Sequence, residues 1–197
     1  MAATELRAET DGDEPSARRI ELVDAAYGYA LENGLAGASL RPVAEAIGSS
    51  TGVLRFLFGS KDGLVRAVLA RARRDELEVL ARLPADGDLD RVALEVWAWL
   101  ADPDHAPVLR LWAESYTTAL VEPDGAWGDF ARQTVEDWLA LFARAQPSGV
   151  RRTAAGAAQR TAVLAVLRGG LLDLLATGQR TRVTRAVTTA VGSLTRT

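Results

Sequence analysis

The stretch from Ser39 to Leu64, SLRPVAEAIGSSTGVLRFLFGSKDGL, constrains the fold more than any other part of this chain. Ser39 can cap a short helix with Pro42 in its first turn, where a missing amide hydrogen is no loss. Leu40, Val43, Ala44 and Ile47 form its apolar face, and Gly48 breaks it. Ser50 or Thr51 then caps a second short helix running to about Leu57, expected to bury Val53, Leu54 and Leu57. Two helices meeting sharply need a small residue inside the first and suit a glycine at the turn. Ala44 and Gly48 fill those places, so the stretch reads as a helix-turn-helix. Ser49 departs from the pattern, being polar where such units usually carry an apolar residue.

The second helix of such a pair enters the DNA major groove N-terminus first, which aims Ser50, Thr51, Arg55 and Phe56 at the duplex. Arg55 is the candidate base reader, because a guanidinium grips guanine O6 and N7 together, worth ~1 to 3 kcal/mol of discrimination. Phe56 can pack on a thymine methyl. Ser39, Arg41 and Lys61, the only lysine of the chain, stand at or near helix N-termini, where phosphate is favoured. The net charge of −3 hides an uneven distribution: residues 1–17 carry −4, residues 18–74 carry +4, and the remainder −3. Phosphate attraction is local, so a basic segment within an acidic chain fits a DNA-contacting head.

The other segments carry helical periodicity. A first helix spans about Ala17 to Asn33, with Ile20, Val23, Tyr27, Ala30 and Leu31 on one face and Gly34 as its stop. A fourth starts near Ser60 and carries Leu64, Val65, Val68, Leu69, Ala72, Leu80 and Leu83 up to Pro84. Asp102-Pro103, Glu122-Pro123-Asp124 and Pro147-Ser148-Gly149 then separate further apolar-periodic segments; no strand pattern appears. The expectation is an all-α protein of about nine helices. A flexible acidic arm, residues 1–16, precedes a helix-turn-helix head, residues 17–66, which the long fourth helix joins to a helical body, residues 67–197. The N-terminus lacks the apolar core of a secretory signal, and the most apolar run is interrupted by Arg168 and Asp173. There is no cysteine, so no disulfide or thiolate metal site can form. A cytoplasmic protein without membrane span, metal or cofactor is expected.

Arg19-Ile20, Ala25-Ala26, Asn33-Gly34, Ser39-Leu40, Val43-Ala44, Gly48, Ser50, Gly52-Val53-Leu54, Phe58-Gly59-Ser60-Lys61-Asp62 and Leu64 together resemble the N-terminal signature of the TetR family of transcriptional regulators. The resemblance covers residues 18 to about 66. It implies an all-helical homodimer whose first helices bind double-stranded operator DNA. It also implies a C-terminal body that binds a small-molecule effector among helices four to eight and dimerises through the last two helices. Where the family commonly has Tyr and His in the recognition helix, this chain has Arg55 and Leu57, which points to an unusual operator or to weakened DNA binding.

All five tryptophans fall between residues 97 and 138. Trp97, Trp112, Tyr116, Trp127, Phe130 and Trp138 are the candidate wall of the implied pocket, with Glu114 or His105 to orient a polar group. A lipophilic ligand, cations included, suits stacked aromatics. The eighth helix, about Val150 to Thr177, is apolar or small nearly all round from Thr161 to Ala176, and the ninth carries a matching stripe. Leu164, Leu167, Leu171, Val183, Val187 and Val191 are therefore expected to dimerise. Gly169-Gly170 suggests a bend or the close approach of another helix. The pattern G-x-S-x-G at Gly48 to Gly52 fits a hydrolase nucleophile elbow, but that motif needs a preceding strand, and a helical pattern precedes it. No catalytic residue is assigned. A ligand-released repressor is the preferred reading, ahead of a dimeric helical scaffold with impaired DNA binding.

Overall fold

The computed structural model describes residues 16–82 and 88–196. Among them the chain forms ten α-helices and a 3-10 turn, with no strand. The head comprises α1 (Ala17–Asn33), α2 (Leu40–Ala46) and α3 (Thr51–Phe58), and α4 (Lys61–Arg82) leads away from it. The body holds α5 (Leu89–Leu100), α6 (Ala106–Val121), α7 (Phe130–Ala145), the single turn α8 (Ser148–Arg151), α9 (Ala154–Thr177) and α10 (Arg180–Thr195). The expected acidic arm up to residue 15, and Leu83 and Pro84 at the expected end of α4, lie outside the described residues.

The tenth helix arises because the helix expected from about Val150 to Thr177 is broken. Thr153 adopts an extended backbone, and its hydroxyl accepts the Gly156 amide at 3.0 Å, so it starts α9 as a cap. The local side-chain bond competes with a continuous helix, which the apolar periodicity by itself does not reveal.

Two apolar clusters organise the packing. Leu22, Ala26, Ala30, Val43, Ala44, Leu54, Leu64 and Val68 form the core of the head, and Leu111, Ala119, Trp127, Phe130 and Ala131 extend it into α6 and the start of α7. The head core therefore runs past residue 66 rather than stopping there. Val92, Val96, Trp97, Leu141, Phe142, Val163, Leu167, Val187 and Val191 are central to the second cluster, which binds α5, α7, α9 and α10. Trp112 packs against both clusters.

Two expected core positions are exposed: Ile20 at 47% and Val53 at 38%. Each adjoins a residue that takes the buried place, Ile20 the stripe beginning at Leu22, and Val53 the fully buried Leu54. Leu35, in the loop after α1, is buried although it belongs to no periodic run. It is held by Glu114 of α6, whose carboxylate accepts the Leu35 amide at 2.9 Å and the Ala36 amide at 2.8 Å. Glu114 was expected to orient a ligand; instead it ties the body to the loop between α1 and α2. His105 is likewise engaged, stacked on Trp99 with its ring Nδ1 2.8 Å from the Trp99 carbonyl oxygen.

Candidate nucleic-acid interface and ligand cavity

Gly48 takes a φ of 64° at the turn between α2 and α3, a conformation open to glycine at little cost. The chain reverses there through the Ser49 amide, which donates to the Ala44 carbonyl at 2.8 Å. Ser50 then caps α3, its hydroxyl accepting the Val53 amide at 3.2 Å. This bond uses the Ser50 oxygen as an acceptor and leaves its O–H able to donate. Helix α2 precedes Ser50, so the strand-to-helix turn of a nucleophile elbow is not formed.

Buried Leu54 and Phe58 seat α3 on the head, and its opposite face carries Gly52, Val53, Arg55 and Phe56. Phe56 is 87% exposed, a position that burial cannot account for. Thr51 is partly buried at the start of the helix. Val53 joins this outer face although its apolar character had suggested the core; the sequence carries no signal separating it from Leu54. Ser39 occupies the N-cap position of α2, is exposed, and makes no side-chain capping bond, which leaves its hydroxyl unspent. Arg41 is exposed and pairs along α2 with Glu45 at 2.9 Å. Lys61 donates to the Ala36 carbonyl at 3.0 Å, so its ammonium also fastens α4 to the loop after α1.

The basic excess of the head is smaller in space than in sequence. Arg71 pairs with Asp24 and Asp75, and Arg73 with Asp137. These two cations hold α4 against α1 and α7. Arg55, Arg66 and Arg74 form no ion pair among the described residues. The Ser49 hydroxyl is buried without a hydrogen-bond partner among the described residues, a cost that the usual apolar residue would avoid.

Beneath the head, α4, α5, α6, α7 and α9 enclose a cavity of about 200 Å3. Trp112, Phe130 and Trp138, all expected in its wall, line it; Tyr27, Trp99 and Leu164 join them. Trp97 and Trp127 do not. Trp97 is buried between α5, α9 and α10, where its indole N–H donates to Thr184 at 3.1 Å. Trp127 belongs to the head core. Tyr116 stands just behind the wall, stacked on Trp112 and receiving Arg168 on its hydroxyl at 3.2 Å.

Three charged side chains in the lining were missed in the sequence; one of them, Asp75, is held by Arg71. Glu76 of α4 accepts the Trp138 indole N–H, and burial first, with Asp137 adding, pushes its carboxyl up to about 7. Arg168 of α9 lies over the rings of Trp112 and Tyr116, 5.7 and 5.0 Å from their centroids. Burial lowers its pKa from the ordinary guanidinium value. A charge inside an apolar run is the only sequence signal that marked Arg168; Glu76 sits among charged neighbours and had none.

The expected dimer contacts are corrected. Leu164, Leu167, Leu171, Val183, Val187 and Val191 are all buried inside the protomer, between α9, α10 and α5. Their stripe is covered by the chain's own helices, so none is available to a partner. Gly170 explains how they pack so closely: a Cβ there would lie 2.6 Å from Val187 Cγ2. The close approach expected at the glycine pair thus occurs within one protomer. Gly169, beside it, faces open space.

An exposed recognition helix on a three-helix head, joined through α4 and α6 to a body with an apolar cavity, defines the class: a helix-turn-helix DNA-binding regulator. No family model matches the chain. It is 33% identical over 144 residues to the HTH-type transcriptional regulator BetI of Burkholderia thailandensis, covering 70% of this chain and 74% of that protein. Its fold is similar to that of a TetR-family regulator from Cytophaga hutchinsonii, with a TM-score of 0.75 at 16% identity over 95% of this chain and all of that one. The multidrug binding protein EbrR complexed with ethidium matches with a TM-score of 0.66 at 27% identity, over 90% and 99% of the two chains. The chain belongs to the TetR family of transcriptional regulators.

Proposed function

We propose that this protein is a repressor, acting in the cytoplasm as a homodimer, that leaves a pseudo-palindromic operator when a small lipophilic ligand fills the body cavity. The observation that carries the reading is the pairing of an exposed α3 face with an apolar cavity whose wall shares α4 and α6 with the head. EbrR, named as a multidrug binding protein, offers the parallel for the cavity. Ser50, Thr51, Arg55 and Phe56 meet the bases, and Ser39, Arg41 and Lys61 meet phosphate. Two recognition helices about one DNA turn, ~34 Å, apart would read the two half-sites. Helix α6 joins the two functions, since it carries Trp112 at the cavity and Glu114 on the head loop. A ligand that favours one setting of α6 moves the loop and with it the spacing of the heads.

Selection of bound sequences from a random DNA library tests the regulator directly. Recovery of a two-fold related site is expected; equal retention of all sequences would remove operator recognition. Arg55→Ala should then lose ~1 to 3 kcal/mol of preference at one position of each half-site and leave the rest unchanged. An identical selected sequence would take Arg55 out of base reading.

For the dimer, the reading moves to the outward face of α9, where Ala165, Gly169 and the 49%-exposed Leu172 stand clear of the protomer core. Gly169→Leu is expected to raise the fraction of monomer in sedimentation, while Gly170→Ala should destabilise each protomer by ~1 to 3 kcal/mol through overlap with Val187. A Gly169→Leu protein as dimeric as the wild type would place the interface elsewhere.

A further inference from the structure

We infer that the cavity takes a small lipophilic acid, its carboxylate received by the guanidinium of Arg168 and its rings lying among Trp112, Phe130 and Trp138. The inference rests on the ligand-responsive reading above and gives that ligand its charge. The cavity walls are apolar apart from a few side chains whose hydrogen bonds can be accounted for one at a time. Ser115 donates to the Leu111 carbonyl at 2.6 Å, and Asp75 is paired with Arg71. Glu76 accepts from Trp138. Arg168 spends Nη1 on Tyr116, but its Nη2 is buried with no partner among the described residues. A buried cationic donor without an acceptor is unfavourable, and an anion or strong acceptor entering the cavity relieves it. A guanidinium also matches a carboxylate with two parallel N–H bonds.

The same geometry disfavours a cation. The protein's own guanidinium already lies over the Trp112 ring in the cavity wall and over Tyr116 behind it, so a cationic ligand stacking there would meet a like charge. A second positive group would have to displace it or sit beside it. Of the two acids in the lining, Asp75 is held by Arg71, which leaves Glu76 to compensate. It forms no ion pair with Arg168 among the described residues, and burial makes its neutral form accessible near pH 7. The charged groups around it are Asp137 of α7, Arg168 of α9, and Arg73 on its own helix, with Asp75 adjacent and held by Arg71.

These charges give the binding a sign. An anion beside Arg168 offsets the cation that favours Glu76 ionisation, so Glu76 takes up a proton as the acid enters. Affinity for an acid therefore falls as pH rises through about 7, whereas a cation would expel that proton and bind better at higher pH.

The test uses three probes of one shape, 2-naphthoate, 2-naphthamide and 2-naphthylmethylammonium, titrated calorimetrically into the full chain. At about pH 6 naphthoate is expected to bind roughly tenfold more tightly than either of the others and to weaken toward about pH 8, with proton uptake appearing between about pH 7 and 8, where Glu76 is ionised in the empty protein. Arg168→Gln should bring naphthoate down to the level of naphthamide and leave naphthamide unchanged. Arg168→Lys, which keeps the charge without the planar fork, should fall between, and serves if the glutamine variant does not fold. Glu76→Gln should keep naphthoate binding and abolish its pH dependence. Tighter binding of the ammonium, indifference of naphthoate to both Arg168 variants, or no binding of naphthoate would overturn the inference. Failure of the regulator reading looks different: naphthoate binds as described, yet no operator is selected, or the selected operator is not released by naphthoate.

Discussion

Gly63→Ala is expected to destabilise the head by about 3 kcal/mol and to abolish operator binding at temperatures where the body remains folded. A Cβ at position 63 would lie 1.9 Å from the Phe58 carbonyl oxygen, in the turn that carries α3 into α4. The obstacle is backbone, so no side-chain rotation relieves it. The turn must open, and with it the angle at which the recognition helix is presented. Buried Phe58, covered by the Arg19 guanidinium 5.2 Å from its ring, would be drawn from the head core. Trp97, Trp99 and Trp138 lie among the body helices, while Trp127 belongs to the head core, so emission that stays largely native while DNA binding is lost would place the damage in the head. Gly28→Ala is the control: nothing lies within 4 Å of a Cβ there, and a gain of ~0.5 to 1 kcal/mol in helix propensity is expected. A Gly63→Ala protein as stable as the wild type would show that the turn yields freely.

Glu76→Gln should stabilise the protein above neutrality and change little in acid. The ordinary value for this carboxyl, 4.5, holds in the unfolded chain, and the fold raises it to about 7. Between those values the folded state keeps a proton that the unfolded state has lost. Stability therefore declines as pH rises from about 4.5 and levels off above about 7, by ~1 to 3 kcal/mol in all. A glutamine cannot ionise and can still accept the Trp138 N–H through its carbonyl. Urea unfolding at about pH 5 and about pH 8 should show a difference between the two proteins that grows with pH. A difference independent of pH would mean that Glu76 ionises in the fold as freely as in water.

How far the sequence could be read depended on the range of the interactions concerned. The head was legible because its determinants lie within a few residues of one another: Gly48 at its turn, Ser50 at its cap, Leu54 beneath and Arg55 and Phe56 outside. The apolar period placed α1 from Ala17 to Asn33 for the same reason. It misassigned Ile20 and Val53, since a stripe specifies a face only to within one position. The cavity was half legible. Trp112, Phe130 and Trp138 announced themselves as aromatics, but Glu76, Arg168 and the true place of Glu114 depend on partners 62, 52 and 79 residues away.

The α9 and α10 stripes show where the division falls. Helical type, apolar periodicity and the need to cover those stripes follow from local preference and from the exclusion of apolar surface from water, and both can be read from residue order. What covers them cannot. The valines of α10 were as suited to a partner as to Leu164, Leu167 and Leu171, and burial within the protomer was decided by how ten helices share a limited interior. Residue order determined an all-helical chain with a DNA-reading head. Only the tertiary structure decided that Gly170 admits Val187, that Arg168 lines the cavity with a buried Nη2 unpaired among the described residues, and that Glu114 belongs to the head. Each of these depends on the convergence of segments distant in sequence, and non-directional apolar attraction leaves their order of approach open until the whole chain is packed.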